Sequence, residues 1–227
     1  MVDDAGVVLA SVAHGGTEDY SSWLLPAVGR VLAEAGRRFS EVTLYAAAAG
    51  PGSFTGIRVG LTTVKAWSEV FGVQIAAVSR LEALAATAKE SGEIAPRMVA
   101  ACFDAQRGEV YGAIYRSDGE NLRRMGDEAV VAPGVLIDWA AREAKGAAVA
   151  WVCLDRGALL REPRWEEREA RGEVIEVAEP VLAPAIARVA KRLAAEGKLT
   201  DALGLDANYI LRPHAEVQWK GYIKPSV

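Results

Sequence analysis

Histidine and cysteine are scarce, with two of each in 227 residues. His14 and His214 both stand without a second ligand at metal spacing, so nothing points to a zinc or iron site. The same scarcity argues against a Ser-His nucleophilic pair, and Ser53, in Gly-Ser-Phe, lacks the flanking glycines of a nucleophile elbow. Cys102 and Cys153 lie far apart inside apolar runs, which predicts small buried residues in a reducing compartment and neither a disulfide nor a metal pair. No run reaches the roughly 20 apolar residues of a membrane helix. The start, Met1-Val2-Asp3-Asp4, is acidic where a secretory signal is basic, so a cytoplasmic protein is expected. Basic residues are not in excess either: 26 Lys and Arg face 30 Asp and Glu, for a net charge of -4. That balance argues against this chain being the main surface for nucleic acid. Solenoid repeats and low-complexity linkers are also absent.

What is present is an ordinary globular composition, 51% hydrophobic and 25% charged. A chain this long buries about 70–75% of its unfolded surface and needs no covalent or metal staple. Strands and helices alternate in two halves, which predicts an α/β architecture. The organising stretch is Thr43–Gly72. Leu44–Ala49 reads as a buried strand that stops at Gly50-Pro51-Gly52. Ser53 is the expected cap of a helix whose buried face carries Ile57, Leu61, Val64 and Phe71 and which Gly72 closes. A glycine-rich turn between a strand and a helix N-terminus aims unpaired N–H groups outward, so Gly50, Gly52, Ser53, Thr55, Gly56 and Arg58 form a candidate anion or nucleotide loop. The glycine spacing is one residue longer than the dinucleotide fingerprint, and no Lys-Ser or Lys-Thr follows as in a P-loop. A tight turn used only for packing fits these residues as well.

Around this stretch, strands are expected at Val7–Val12, Val73–Val78, Met98–Phe103, Glu109–Tyr115 and Ala147–Leu154. Helices are expected at Tyr20–Gly36, with Ser21 or Ser22 near its cap, and at Leu81–Lys89 behind Ser79. Two more are expected at Pro133–Lys145 and Pro184–Glu196. Ser91–Pro96 reads as the boundary between a first lobe, 1–97, and a second, 98–227. The mixed charges of Arg156–Glu176 predict a solvated segment, and the tail 206–227 is expected to lie back along the body.

The run GPGSFTGIRVGLTTVKA, from Gly50 to Ala66, resembles the signature of the TsaB (YeaZ) family of the actin-like ATPase superfold. Phe103–Tyr111 is similar to that family's second-lobe hairpin and Asn208–Glu216 to its C-terminal tail. The resemblance implies a two-lobed, ribonuclease H-like α/β fold. It also implies that the first lobe lacks one or more N-terminal strands, leaving Leu44–Ala49 with an unpaired edge. By the same resemblance the chain is a non-catalytic subunit that binds and activates TsaD, with TsaE, in making threonylcarbamoyladenosine at position 37 of tRNA, while TsaC supplies the activated group. It would form a homodimer when alone, meet tRNA only through the complex and need no membrane. It would carry no cofactor or metal of its own and admit ATP or ADP at the partner interface.

The implied interface is a bundle of first-lobe helices presenting Trp23, Leu24, Val28, Val31, Gly56, Ile57, Val59, Gly60, Thr63 and Val64. Small residues beside apolar ones are what closely crossing helices require. Gly60 costs its helix about 1 kcal/mol against Ala, which close approach of a partner would offset. Asp104 stands where active members of the superfold hold metal and phosphate. It is followed here by Ala105-Gln106-Arg107, which keeps backbone from a phosphate, and is expected to be a turn residue. The competing readings are a nucleotide-dependent kinase or glycoprotease-like hydrolase, and a truncated relative without function.

Overall fold

Helix α1, Tyr20–Glu34, opens the regular structure in a computed structural model that describes residues 1–16, 18–88, 98–118 and 121–210. Asp19 occupies its cap position and no side chain caps it, in place of the serine expected there; the Ser22 hydroxyl instead donates to the Asp19 carbonyl. The predicted strand at Val7–Val12 does not form. A single antiparallel bridge, Val2 to Val8, is all that pairs there, because among the described residues no strand lies beside it to continue a ladder. After a 3-10 turn at Phe39–Glu41 come β1 (Tyr45–Gly50), α2 (Phe54–Phe71), β2 (Ile75–Ser79) and α3 (Arg80–Thr87). Strands β1 and β2 pair in parallel and form a two-stranded sheet of their own. Gly72 ends α2 in the left-handed conformation that a glycine adopts without strain.

The second sheet is larger. Strands β3 (Met98–Gln106) and β4 (Glu109–Ser117) form a long hairpin, followed by β5 (Leu122–Arg124), β6 (Ala129–Val131) and α4 (Pro133–Ala144). Next come β7 (Val149–Cys153), the short helices α5 (Gly157–Leu160) and α6 (Trp165–Glu169), β8 (Ile175–Val177) and α7 (Ala183–Ala195). The six strands run in the order β5-β4-β3-β7-β8, with β6 also on β4. β3 is central and reads as an unbroken apolar run because both its faces are covered, by α4 on one side and α3 on the other.

Helix α7 returns to the first sheet, packing Ala185, Val189 and Ala190 against Ala76 and Val78 of β2. Ile75, on the opposite face of β2, belongs with Tyr45, Ile57 and Leu61 under α2. The small sheet is therefore a middle layer between α2 and α7.

The segment 156–176 corrects the expectation of a solvated stretch. Trp165, Arg168 and Glu173 are buried, and Glu173 accepts from the Val149 amide at 3.1 Å, the Trp151 indole at 2.7 Å and Arg168 Nε at 2.8 Å. The mixed charges hide one pair that satisfies itself inside the protein. Cys102 and Cys153 are buried free thiols, neighbours in register across β3 and β7.

Candidate functional site: the glycine loop and the α1–α2 pair

The loop predicted from Gly50 to Gly56 lies where the end of β1 meets α2, and it is packed from three sides. Gly50 has φ 128° and Gly52 φ 153°, both in the region that favours glycine. A Cβ on Gly50 would meet the Asn208 carbonyl, and one on Gly52 would meet Arg80 Nη1. Asn208 donates its amide to the Ala49 carbonyl at 2.7 Å, which joins the start of the tail to the end of β1. Arg80 donates to the Pro51 carbonyl at 3.2 Å, and its guanidinium carbon lies 4.5 Å from the centroid of the Phe103 ring. Burial lowers the Arg80 pKa from its ordinary value.

Ser53 caps α2 as predicted, its hydroxyl accepting from the Gly56 amide at 3.3 Å, so one of the unpaired helix donors is already satisfied. Thr55 is exposed. Arg58 is exposed too, but its guanidinium sits 3.8 Å from the centroid of the Phe54 ring and donates to the Tyr209 hydroxyl at 3.1 Å. What the loop brings together is thus a helix N-terminus and two arginines, Arg58 and Arg80, each stacked on an aromatic ring.

Sequence reasoning missed Arg80 and Glu128. The Glu128 side chain is 3% exposed, in the turn between β5 and β6, and accepts from Asn208 Nδ2 at 2.6 Å and from the Ser79 hydroxyl. Arg124 Nη1 stands 3.6 Å away and the Tyr115 hydroxyl donates at 3.4 Å. One carboxylate thus ties the end of β2, the tail and the second sheet together. No local pattern announces such a residue; Ser79 as a cap and Asn208 as the start of the tail motif were the legible members of the group.

The ten predicted interface residues divide by position. Ile57 is buried in the core under α2, and Val64 packs against the same cluster. Val28, Val31 and Val64 line a groove beside β1. Trp23 sits edge-on to His14 at 4.9 Å, and Leu24 is half-buried. Gly56 lies close to Tyr20, whose ring an added Cβ would meet at 3.7 Å. Val59 and Thr63 are half-buried, with the Thr63 hydroxyl donating to the Val59 carbonyl at 2.8 Å. Gly60 faces open space, with nothing within 4 Å of an added Cβ. Leu25 on α1 and Val70 on α2, not singled out from sequence, are 60% and 73% exposed.

Asp104 accepts from the Gln106 amide at 2.9 Å, holding a turn in which Gln106 and Arg107 both have positive φ. Its carboxylate serves its own hairpin. Among the described residues no group of three His, Cys, Asp or Glu is placed to hold a metal, and no helix is long and apolar enough to cross a membrane. His214 and most of the tail motif lie outside the described residues, as does the boundary expected at Ser91–Pro96.

Residues 8–161, more than half of the chain, match a family model described as TsaD, tRNA N6-adenosine threonylcarbamoyltransferase. The chain belongs to this family. Within it the chain is of the TsaB (YeaZ) type. It is 33% identical over 123 residues to the tRNA threonylcarbamoyladenosine biosynthesis protein TsaB of Bacillus subtilis, covering 54% of this chain and 50% of that protein. To TsaB of Escherichia coli it is 34% identical over 121 residues, or 52% of this chain and 51% of the relative. The matches thus span about half the length of these TsaB relatives. YeaZ from Pseudomonas aeruginosa superposes with a TM-score of 0.64 at 29% identity, covering 83% of each chain. A crystal structure of a protein similar to peptidase YEAZ from the same organism gives 0.67 at 28% identity, over 84% of this chain and 83% of that one. The two sheets of this TsaB-type chain and the helices that flank them form the two-lobed, actin-like α/β fold.

Proposed function

We propose that the chain acts in the biosynthesis of threonylcarbamoyladenosine in tRNA as a non-catalytic subunit. Its α1–α2 pair docks a TsaD-type catalytic partner and pairs with a second copy when that partner is absent. TsaE joins the same assembly, tRNA meets the chain through the complex, and any ATP or ADP is held where the subunits meet. The names of the TsaB relatives support the pathway.

The observation that carries the subunit role is the open space over Gly60, in mid-helix, on a helix pair that also exposes the apolar Leu25 and Val70. A glycine there costs α2 about 1 kcal/mol, and no close contact among the described residues requires it. A helix crossing there would use the room, and exposed apolar side chains on the same pair favour a covering partner. Asp104, engaged by its own turn, supports a non-catalytic reading of the hairpin.

Co-purification with TsaD from the same cell, followed by sizing, tests this. Because nothing lies above Gly60, Gly60→Arg leaves the fold of the free chain intact, and the expected result is a stable wild-type complex that the variant does not form. A wild-type chain that folds yet shows no association removes the subunit role. Threonylcarbamoyl transfer to tRNA by the chain alone would replace it with catalysis.

A further inference from the structure

Across the large sheet runs one row of register partners: Val149 of β7, Met98 of β3, Arg116 of β4 and Arg123 of β5. The first two are buried, and the two arginines are exposed. The row lies on the face that α4 covers, since Ile114, two residues before Arg116, and Met125, two after Arg123, pack into the core beneath that helix. The backbone bonds on either side, from Met125 to Ile114 at 2.8 Å and from Asp118 to Asn121 at 3.2 Å, make Arg116 and Arg123 a hydrogen-bonded pair with Cα atoms about 5.5 Å apart. Two arginines therefore stand side by side on the outermost strand of the sheet.

Like charges directly opposite each other destabilise a strand pair. Neither guanidinium has an ion pair or a hydrogen bond among the described residues, although acidic groups outnumber basic ones in the chain, 30 to 26. Elsewhere such charges are matched: Arg37 and Arg38 share Glu41, and Arg164 lies by Asp138 and Glu162. Two carboxylates that flank the pair in sequence are engaged, Asp118 by the Asn121 amide at 2.7 Å and Asp127 by Arg124 at 3.9 Å. Helix α4 ends just before β7 begins, so its last turn comes to the same end of the sheet and brings Arg142 and Lys145, both exposed. An open edge of this kind cannot enclose a small anion. A protein carboxylate would neutralise one arginine, whereas a phosphodiester backbone offers successive charges to forks that match them.

We propose, resting on the tRNA-modifying role above, that the Arg116–Arg123 pair binds the phosphate backbone of the tRNA directly, positioning it in the complex without reading its sequence. With a net charge of -4 on the chain, the contact is local and auxiliary, confined to this edge of the second sheet. The repulsion between the two arginines is relieved when phosphate lies between them.

The test titrates tRNA against salt, for the full chain with its TsaD-type partner and for the chain alone, while sizing reports assembly separately. Each phosphate contact contributes about 0.7–0.9 to the slope of log K against log salt, so Arg116→Gln with Arg123→Gln is expected to lower that slope by about 1–2 in both titrations, whatever the tRNA sequence. The same double variant is expected to leave the urea midpoint of the free chain unchanged or raised, because it removes a repulsion. Arg123→Glu is the second variant: it gives Arg116 a partner across the strands, and is expected to stabilise the chain while weakening tRNA binding. Arg37→Gln with Arg38→Gln changes the net charge equally and is expected to leave the wild-type slope. An unchanged slope in the Arg116 and Arg123 variant overturns the proposal, whatever neutralises the pair, and an equal fall in the Arg37 and Arg38 variant overturns it in favour of general charge. Loss of assembly with tRNA binding intact overturns it in favour of an acidic protein face. If the wild-type chain does not assemble, the subunit role fails and the titration of the chain alone decides this contact, with absence of saturable binding overturning it.

Discussion

The two sheets bury their strands by different means. In the larger one, β3 lies between β4 and β7, and Met98 to Phe103 are buried without interruption. In the smaller one, β1 alternates between buried and open, with Ala46 exposed on a strand whose neighbours Tyr45 and Ala47 are buried. The difference teaches where the molecule is self-sufficient. The large sheet has both faces of its central strand covered by its own helices and holds an internal ion pair, whereas among the described residues the small sheet and the helices over it leave the edge of β1, a groove and exposed apolar side chains open.

Removing one carboxylate from each region breaks the comparison most sharply. Glu173→Ala strands the buried Arg168 guanidinium and leaves the Val149 amide and Trp151 indole without an acceptor, and it is expected to cost about 3–5 kcal/mol in urea unfolding. Glu82, paired with Arg192 beside the small sheet, is partly open to water and its partner has a second carboxylate, Glu196, at 3.1 Å. Glu82→Ala is expected to cost about 1 kcal/mol or less. Equal losses at the two positions would show that the large sheet has no special dependence on its internal pair.

Between these extremes stands Glu128, which belongs to both regions. Glu128→Ala takes the acceptor from the Ser79 hydroxyl and Asn208 amide and leaves Arg124 with only the more distant of its two carboxylates, Asp127 at 3.9 Å. A loss of about 1–3 kcal/mol is expected, together with loosening of the contact between the tail and β1, read as faster exchange of the Asn208 amide. Unchanged exchange there would mean that the Asn208–Ala49 backbone bond holds the tail alone.

How much of this was legible follows from how local each signal is. The Ser53 and Gly72 caps, the stop at Gly50-Pro51-Gly52 and the hairpin around Arg107 are each set by a few adjacent residues, and each forms as read. Val7–Val12 failed because a strand is a property of its neighbours, and the apolar run has none among the described residues to pair with. The burial of Arg168 and Glu173 was invisible because each charge alone argues for solvent; only their approach across a turn makes the interior habitable. Of the loop, the glycines were legible and Arg80 was not, since its contacts with Pro51 and Phe103 join segments distant in the chain.

The smallest effect expected is chemical and leaves the fold alone. Burial pushes the Cys153 thiol up to about 11, and burial next to Cys153 raises Cys102 further. Since the thiolate is the reacting form, a raised pKa means less of it at a given pH: at pH 8, about one Cys153 in a thousand is ionised, and access is blocked besides. A disulfide reagent such as 5,5′-dithiobis(2-nitrobenzoate) is therefore expected to leave both native cysteines untouched in folded protein and to titrate them only in denaturant. Ala46→Cys supplies the contrast, placing a thiol on the exposed position of β1, where it is expected to react about a hundredfold faster or more than either native one. Rapid native labelling of Cys102 or Cys153 would mean that the large sheet opens between β3 and β7 as readily as the small sheet does at its edge, and the difference between the two regions would be one of appearance only.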